Sequence, residues 1–224
     1  LNPLGLLAEA SLNNMQRQRS TSEDGPPRGD SQGEGTQFGV ANEKYFQSRA
    51  FDAGFSRPAP LESDRPPELL TEGVISSEEA LELFRIFFQY CSLHVFLLDP
   101  DWHTPTLVCS RSPFLFTCVC SVASKFYTKR PELYAQCLHR AKKMAFDVLG
   151  RGLKSVEIVQ GFLLLTLYYQ PAERYEEDRT WLFAGVAIRM GQDLNMHRKC
   201  VIPENRLTEE NERELLNRER TWYI

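Results

Sequence analysis

The chain has 224 residues, of which 42% are hydrophobic, and it carries a formal net charge of −4 with an isoelectric point near 5.7. An acidic chain without a cluster of Lys and Arg argues against a nucleic-acid-binding surface, because phosphate contacts need a basic face. The longest apolar run, at 162–169, is far shorter than the roughly 18 residues that a membrane helix needs, so we expect no membrane partner.

Apolar residues are distributed unevenly along the chain. Residues 1–15 repeat Leu and Met at helical spacing, which predicts a short amphipathic linker helix if a partner covers it. Residues 16–73 are rich in Gly, Pro, Ser and Gln and predict a disordered, low-complexity linker. Residues 74–224 are dense in Leu, Phe, Ile and Val, which predicts one folded domain. Because the chain starts with Leu1 and ends inside an apolar helical run, TWYI, we expect a fragment of a longer protein, truncated at its C-terminus.

Capping signals divide the folded part into helices. Ser76, with Glu79 three residues later, predicts a capping box, and Pro100 is predicted to end the helix that follows. The apolar face of that helix consists of Ala80, Phe84, Phe87 and Cys91, flanked by Leu83 and Tyr90. Ser112 and Pro113 predict the N-cap and first turn of a second helix, FLFTCVCSVASKFY, which is almost uncharged and therefore expected in the core.

Further capping signals follow in the second half of the domain. Pro131 predicts the start of a helix that Gly150 ends. Ser155 predicts the start of a helix that is apolar on all sides and that Pro171 stops. Thr208 is predicted to cap the last helix. Ion pairs at four-residue spacing are predicted in it for Glu209 with Arg213 and for Glu214 with Arg218.

The period of the apolar pattern defines the fold class. No segment alternates apolar and polar residues with a period of two, so no β-sheet is expected. Helical segments, two of them apolar on all sides, instead predict an all-α class: a compact multi-helix domain preceded by a disordered leader. A helical repeat scaffold is the least favoured architecture, because the sequence shows no repeat of about 30 to 45 residues.

Cysteine spacing argues against a metal site. Cys118 and Cys120 have one residue between them and would point to nearly opposite sides of a helix. The remaining cysteines are scattered, mostly on apolar helical faces: Cys91, Cys109, Cys137 and Cys200. The glycine-rich segment 150–155, GRGLKS, lacks the spacing of a phosphate loop and predicts an interhelical turn. No Ser or Cys has a recognisable base, so we predict no catalytic residue, no metal and no cofactor in this chain.

Histidines and aromatic residues mark two loops as places for a ligand. His139 lies among basic residues and is expected on the surface, whereas His94 and His103 flank a proline loop where histidine usually satisfies backbone groups. Exposed aromatic residues and charges meet around Trp102 and His103, and again over Tyr168–Tyr175. Packing is the commoner role for such aromatic residues.

The stretch RTWLFAGVAIRMGQDLNMHRK, residues 179–199, combines an apolar helix with a polar end. In a continuous helix, Arg189, Asp193 and His197 would stack at four-residue spacing and could form half a metal site. Asp193 with His197 is also the titratable pair that a helical enzyme or lipid-binding protein with a cavity between its helices would use. This is the alternative to a purely structural helix.

Asn195 favours the structural interpretation. It follows Leu194, the last periodic apolar residue, at the place of a left-handed capping residue, after which Met196 can fold back on the last turn. His197 would then leave the helix, while Arg189 and Asp193 remain an ion pair. Small residues where another helix can approach closely are Ala184, Gly185, Ala187 and Gly191.

The stretch RTWLFAGVAIRMGQDLNMHR resembles the signature of the fungal-specific transcription factor domain, the middle homology region of fungal zinc-cluster regulators. Four further blocks resemble that family in the right order: EEALELFRIFFQYCSLHVFLLDP, SRSPFLFTCVCSVASKFY, KSVEIVQGFLLLTLYY and RERTWYI. The resemblance covers 74–224 and, more weakly, NPLGLLAEASL near the start. Asn195 stands where the family usually has Gly, and Gly191 replaces a common Ala. The signature residues, structural or regulatory, are Arg179, Trp181, Gly185, Arg189, Asp193 and His197.

The resemblance implies a regulatory domain that acts by non-covalent interaction in the nucleus, within a factor that regulates transcription by RNA polymerase II. It implies that a compact zinc cluster of six cysteines outside this chain binds DNA, so zinc and DNA belong to the missing upstream region. A homodimer, and a small-molecule effector or a co-regulator, are the partners implied for the domain. If Trp181 is fully buried, Trp181→Ala is expected mainly to unfold the domain, by lowering its free energy of unfolding by roughly 3 to 5 kcal/mol.

Overall fold

The computed structural model describes residues 66–169, 172, 174–199 and 208–224, all within one compact unit of the chain. The helices that these residues form are α1 (Glu68–Thr71), α2 (Ser77–Ile86), α3 (Pro105–Arg111), α4 (Pro113–Ser124), α5 (Leu133–Gly150), α6 (Val156–Leu167), α7 (Thr180–Asp193) and α8 (Glu209–Tyr223). A π-helical turn, Phe87–Cys91, extends α2, and a 3₁₀ turn, Tyr175–Glu177, precedes α7. The described ranges contain no strand, which confirms the all-α prediction.

The folded part begins earlier than the sequence predicted. α1 lies within 16–73, where a disordered linker was expected, and its Leu69 is fully buried. Two ion pairs join this segment to α5. Glu68 of α1 pairs with Lys143 at 3.2 Å, and Glu72, directly after α1, pairs with Arg140 at 2.5 Å. The predicted linker is therefore too long at its C-terminal end. The rest of it, with the helix predicted for 1–15, lies outside the described residues.

Side-chain caps start the helices where the sequence predicted them. The Ser76 hydroxyl accepts the Glu79 N–H at 3.1 Å, and the Glu79 carboxylate accepts the Ser76 N–H at 3.0 Å, which completes the capping box. The same bond to the N–H three residues on is accepted by Ser112, Ser155 and Thr208. Sequence analysis missed α3, although Thr104 and Pro105 begin it with the same signal as that of α4.

The end of α2 differs from its prediction. The helix widens into the π-helical turn, where the Ser92 N–H donates to the Phe87 carbonyl at 3.0 Å, and helical structure ends at Cys91, well before Pro100. The predicted apolar face is buried, but Tyr90 beside it is 48% exposed. The wider turn changes which residues face the core, because it adds one residue to the helical repeat.

The predicted start of α5 requires correction, whereas its predicted end at Gly150 is confirmed. The helix starts at Leu133, two residues after Pro131. Gly150 is the last helical residue, and Gly152 is the left-handed cap, with a φ of +67°. The backbone N–H groups of Gly152 and Leu153 bond back to the last turn of α5 at 3.0 Å. The segment 150–155 is therefore an interhelical turn, as predicted.

The core is built around α4 and α6. Every residue of α4 is buried, as its uncharged sequence predicted, and α2, α3, α5 and α6 surround it. α6 contacts α4, α7 and α8, and it ends at Leu167, before Pro171, which lies outside the described residues. A side chain at Gly161 would place its Cβ 2.6 Å from the Phe114 ring, so the glycine is what permits this close approach of α6 to α4.

Buried amides join α8 to α6. The Gln160 Nε2 donates to Asn217 Oδ1 at 2.7 Å and to Thr221 Oγ1 at 2.9 Å. The surface of α8 has the predicted pair of Glu209 with Arg213, at 2.7 Å. The second predicted pair contacts other helices instead, because Glu214 binds Arg111 of α3 and Arg218 donates to the Leu194 carbonyl after α7. These long-range contacts fix α8 against the core.

The cysteines behave as small apolar residues. The described cysteines are Cys91, Cys109, Cys118, Cys120 and Cys137, all of them buried except the partly buried Cys109, while Cys200 lies outside the described residues. Burial raises the pKa of Cys91 to about 11 and that of Cys137 to about 12, so both thiols stay protonated. In the described part of the chain, no three His, Cys, Asp or Glu side chains are grouped so that they could hold a metal ion. None of the described helices has the length and apolar composition needed to cross a membrane.

Candidate functional site

A left-handed cap ends α7, as the sequence predicted. Asn195 has a φ of +58°, and its N–H donates to the Gln192 carbonyl at 2.8 Å. The Met196 N–H donates to the Gly191 carbonyl at 2.9 Å, and the Met196 side chain is buried against the last turn. These two bonds form a Schellman motif, which stops the helix and directs His197 away from it.

Asp193 and His197 have different partners. The Asp193 carboxylate accepts a bond from the Lys154 ammonium at 2.7 Å and pairs with Arg189 at 3.4 Å, which confirms the predicted pair four residues apart. The bond from Lys154 lowers the pKa of Asp193, and the charge of Arg189 adds to the effect. His197 is exposed, with its ring 5.7 Å from that of Trp222. The acid–base pair of the enzyme or lipid-binding alternative is therefore not assembled.

The outer face of α7 carries several signature residues. Trp181 is 72% exposed. The expectation that Trp181→Ala would unfold the domain required a fully buried ring, so it was wrong. Ile188 is exposed on the same face, and so are Arg179, at the N-cap, and Gly185. The residues that α7 buries are Phe183, Ala187, Met190 and Gly191. The helix thus packs one face on the core and presents the signature tryptophan to solvent.

Only one of the two α7 glycines serves close packing. A Cβ at Gly185 would meet no atom within 4 Å, so the expectation of a close helix approach at this residue was wrong. A Cβ at Gly191 would lie 3.3 Å from the Trp222 ring of α8. Gly191 therefore lets α8 approach α7, as its small size predicted.

Replacing Trp181 with alanine is expected to change the free energy of unfolding by less than about 0.5 kcal/mol, because an exposed side chain loses little packing. Urea denaturation followed by circular dichroism measures this difference. Ile188→Ala, on the same face and 54% exposed, is the matched control and should behave alike. A loss above about 2 kcal/mol for Trp181→Ala alone would show that the ring is covered in solution.

The loop around Trp102 is fixed by packing and hydrogen bonds. His103 is 3% exposed, and its Nδ1 accepts the Asp99 N–H at 2.9 Å, which confirms the predicted role of satisfying the backbone. Burial lowers the pKa of His103 to about 4, so the imidazole is neutral. The Arg111 guanidinium lies 5.2 Å from the centre of the Trp102 ring and also binds Glu214. Like His197, His94 and His139 are exposed, and for His139 this was predicted. This loop is a structural junction between α3 and α8.

The second predicted loop begins with two tyrosines that hold the end of α6. The Tyr168 hydroxyl donates to the Cys91 carbonyl of the π-helical turn at 2.8 Å. The Tyr169 hydroxyl accepts a bond from the Lys142 ammonium of α5 at 2.8 Å. The side chain of Tyr175 lies outside the described part. The described end of this loop is therefore anchored to both α2 and α5.

Lys125 lies at the centre of these contacts, directly after α4. Its ammonium donates to the Tyr168 carbonyl and lies 5.3 Å from the centre of the Tyr134 ring. Although much of Lys125 is exposed, burial of its ammonium lowers its pKa. Within the described ranges, no carboxylate lies within 4.0 Å of this ammonium. Lys125 is thus a partly desolvated cation whose neighbours are a carbonyl and an aromatic ring.

A cleft opens beside Lys125, between the end of α4 and the start of α5. Its volume is about 510 Å³, and its lining consists of Ser124, Lys125, Tyr127, Thr128, Pro131 and Tyr134. A small void behind it shares Lys125 and Tyr134 and is closed by side chains that include Leu138, Leu164, Tyr168 and Tyr169. The Tyr134 hydroxyl is buried and finds no hydrogen-bond partner among the described residues. We refer to this place as the Lys125 cleft.

Sequence reasoning missed the Lys125 cleft. Its residues form no motif, and the contact of Lys125 with Tyr168 spans 43 residues of sequence. The available signal was weak: Lys125 is the first charge after an uncharged helix. An apolar rim lies nearby, where Tyr90 and Phe126 stack with ring centres 6.0 Å apart and both remain about half exposed.

Comparison with known proteins links this fold to transcription. The family model described as "Fungal specific transcription factor domain" matches residues 84–224. The protein priB of Lentinula edodes is 32% identical over 181 residues, which cover 80% of this chain and 26% of priB. The transcriptional regulator WAR1 of Candida albicans is 26% identical over 140 residues, 61% of this chain and 15% of WAR1. The chain thus spans about a quarter or less of these relatives. No solved structure matches the chain significantly.

Proposed function

Because the chain belongs to the fungal specific transcription factor domain family, we propose that it is the regulatory domain of a longer factor and acts by non-covalent interaction. The observation that carries this proposal is the extent of the family match, 84–224, which runs from α2 to the end of α8. The match includes both central helices, so it concerns the helical core as a whole. In this proposal the helical core positions surfaces that other parts of the factor contact.

DNA binding belongs, in this proposal, to a zinc cluster outside the chain. The acidic balance of the chain, with a formal net charge of −4, supports a division of labour in which another region contacts DNA. The similarity to WAR1, a transcriptional regulator, supports regulation of transcription as the role of the whole factor. We propose that the factor works in the nucleus on genes transcribed by RNA polymerase II.

A non-catalytic role is supported by the end of α7. The acid–base pair that an enzyme would use there is not assembled, because Asp193 binds Lys154 and His197 faces solvent beside Trp222. The outer face of α7 and the apolar rim at Tyr90 and Phe126 instead present large apolar side chains to solvent. Exposed apolar surfaces of this kind are typical of interaction sites. A co-regulator or a second copy of the chain is the partner that we propose for them.

The test places the chain in a fusion with an unrelated DNA-binding domain and an unrelated activation segment, read by a reporter gene. Inserting the full 224-residue chain between them is expected to change the output by at least about fivefold, the lower end of typical coupling between sites. The control carries Phe162→Ala, which removes a buried core ring, at equal protein level. Equal output from the chain, the control and an inert spacer would contradict the proposal.

A further inference from the structure

We propose that the Lys125 cleft binds a small organic anion with a planar apolar body, with the Lys125 ammonium as the charge partner and the Tyr134 hydroxyl as a second donor. The claim that such binding regulates the factor rests on the function proposed above. Binding itself is a property of the purified chain and can be measured without that function.

The first support is the charge of Lys125. Lys143 and Lys154 lie 3.2 Å and 2.7 Å from the carboxylates of Glu68 and Asp193. Lys125, by contrast, has a carbonyl and a ring face as its partners, and burial lowers its pKa. A partly buried cation is unfavourable unless an opposite charge or several acceptors satisfy it. An anion in the cleft would supply the opposite charge.

The second support is the Tyr134 hydroxyl. It is buried without a hydrogen-bond partner among the described residues, an arrangement that native proteins seldom retain without a reason. Burial raises the pKa of Tyr134, so the hydroxyl is a proton donor at neutral pH. Lys125 and Tyr134 line both the cleft and the void behind it. A small rotation of the Tyr134 ring would therefore present its hydroxyl to a ligand held by Lys125.

The third support is the shape and lining of the cleft. Its volume of about 510 Å³ lies within the range of small-molecule sites. Tyr127, Tyr134 and Pro131 supply flat apolar walls, and the hydroxyls of Ser124, Tyr127 and Thr128 add polar groups to the lining. Flat walls with one cation and few hydroxyls favour a planar apolar body that carries one negative charge.

Binding would also reach the end of α6. Lys125 now ties the end of α4 to the carbonyl of Tyr168, the residue that caps α6. The ammonium has three N–H donors, so an anion would share it with that carbonyl and draw it towards the cleft, which would weaken the contact. Because Tyr168 also holds the Cys91 carbonyl of the π-helical turn, the change would extend to α2. The Lys125 cleft is thus placed to couple a ligand to the packing of α2, α4 and α6.

The experiment measures binding of trans-cinnamate to the purified 224-residue chain by calorimetry and by backbone amide NMR. Cinnamamide, which has the same planar body without the charge, is the matched ligand control. Lys125→Met keeps the length of the stem and removes the charge, and Tyr134→Phe removes only the hydroxyl. Lys129→Met is the matched protein control, because Lys129 lies in the same loop with its ammonium 5.8 Å from the Tyr127 ring. Thermal melting verifies that each variant is folded.

We expect saturable binding of cinnamate, with at least about tenfold weaker binding of cinnamamide and of cinnamate to Lys125→Met. Tyr134→Phe should weaken binding several-fold, Lys129→Met should not, and the amide signals of Tyr168 and Tyr169 should shift. Absence of saturable binding up to about 1 mM, equal affinity for the amide, or unchanged affinity in Lys125→Met would each overturn the inference. The reporter test of the proposed function uses no ligand, so either proposal can fail while the other stands.

Discussion

Phe162→Ala is expected to lower the free energy of unfolding by about 3 to 5 kcal/mol. Phe162 of α6 is fully buried, and its ring centre lies 5.2 Å from that of Phe114 in α4 and 6.0 Å from that of Phe183 in α7. Truncation therefore removes contacts to two neighbouring helices at once and leaves a cavity. The neighbouring rings cannot easily collapse into that cavity, because Phe114 of α4 already packs against Gly161, the residue before Phe162 in α6.

Chemical denaturation of the wild type and the variant measures this loss. Phe126→Ala is the matched control, because the Phe126 ring is 49% exposed and its removal should cost less than about 1 kcal/mol. If Phe162→Ala costs no more than the control, the packing of α6 between α4 and α7 is wrong. A large loss restricted to Phe162→Ala supports the core described above and justifies its use as the unfolded control in the reporter assay.

Acidification from pH 7 to pH 4.5 is expected to remove up to about 3 kcal/mol of stability through His103. Burial, the largest influence, lowers the pKa of His103 from its ordinary 6.5 to about 4 in the folded chain. Below pH 6.5, the unfolded chain binds a proton at this imidazole that the folded chain does not. The stability is therefore fully present above pH 6.5 and is lost as the pH falls towards 4.

The variant His103→Gln isolates this effect, because a glutamine carbonyl can still accept the Asp99 N–H but does not titrate. Unfolding free energies of both proteins are compared at pH 7 and pH 4.5. Burial raises the pKa of Glu214, which gives the opposite pH dependence, but this contribution is common to both proteins and cancels in the difference. We expect a smaller acid-induced loss in His103→Gln. An identical loss in the two proteins would show that His103 does not remain neutral in the folded chain.

Local sequence signals predicted the starts of helices well. The capping box of Ser76, the serine before Pro113 and the asparagine at 195 each act within about one turn of backbone, so their geometry follows from neighbouring residues. The class of the fold followed from the same local periodicity. The exact start of α5 did not follow, because Pro131 lies two residues before the first helical residue, Leu133.

Contacts between residues far apart in the chain could not be predicted from the sequence. The orientation of Trp181 depends on which face of α7 meets α6, and the small residues Ala184, Gly185 and Ala187 lie on both the exposed and the buried side of the helix. The Lys125 cleft lies between α4 and α5, but the void behind it and the bond of Lys125 to the Tyr168 carbonyl involve the end of α6. The bond of Tyr168 to Cys91 spans 77 residues of sequence. No local period encodes such contacts, because they arise from how complete helices pack.

The most direct test of the central claim, that this domain belongs to a zinc-cluster transcription factor, is to read the transcript on both sides of the 224 residues. The account predicts, upstream of Leu1, a segment with six closely spaced cysteines among Lys and Arg residues. A complete transcript that encodes no such cluster would contradict it.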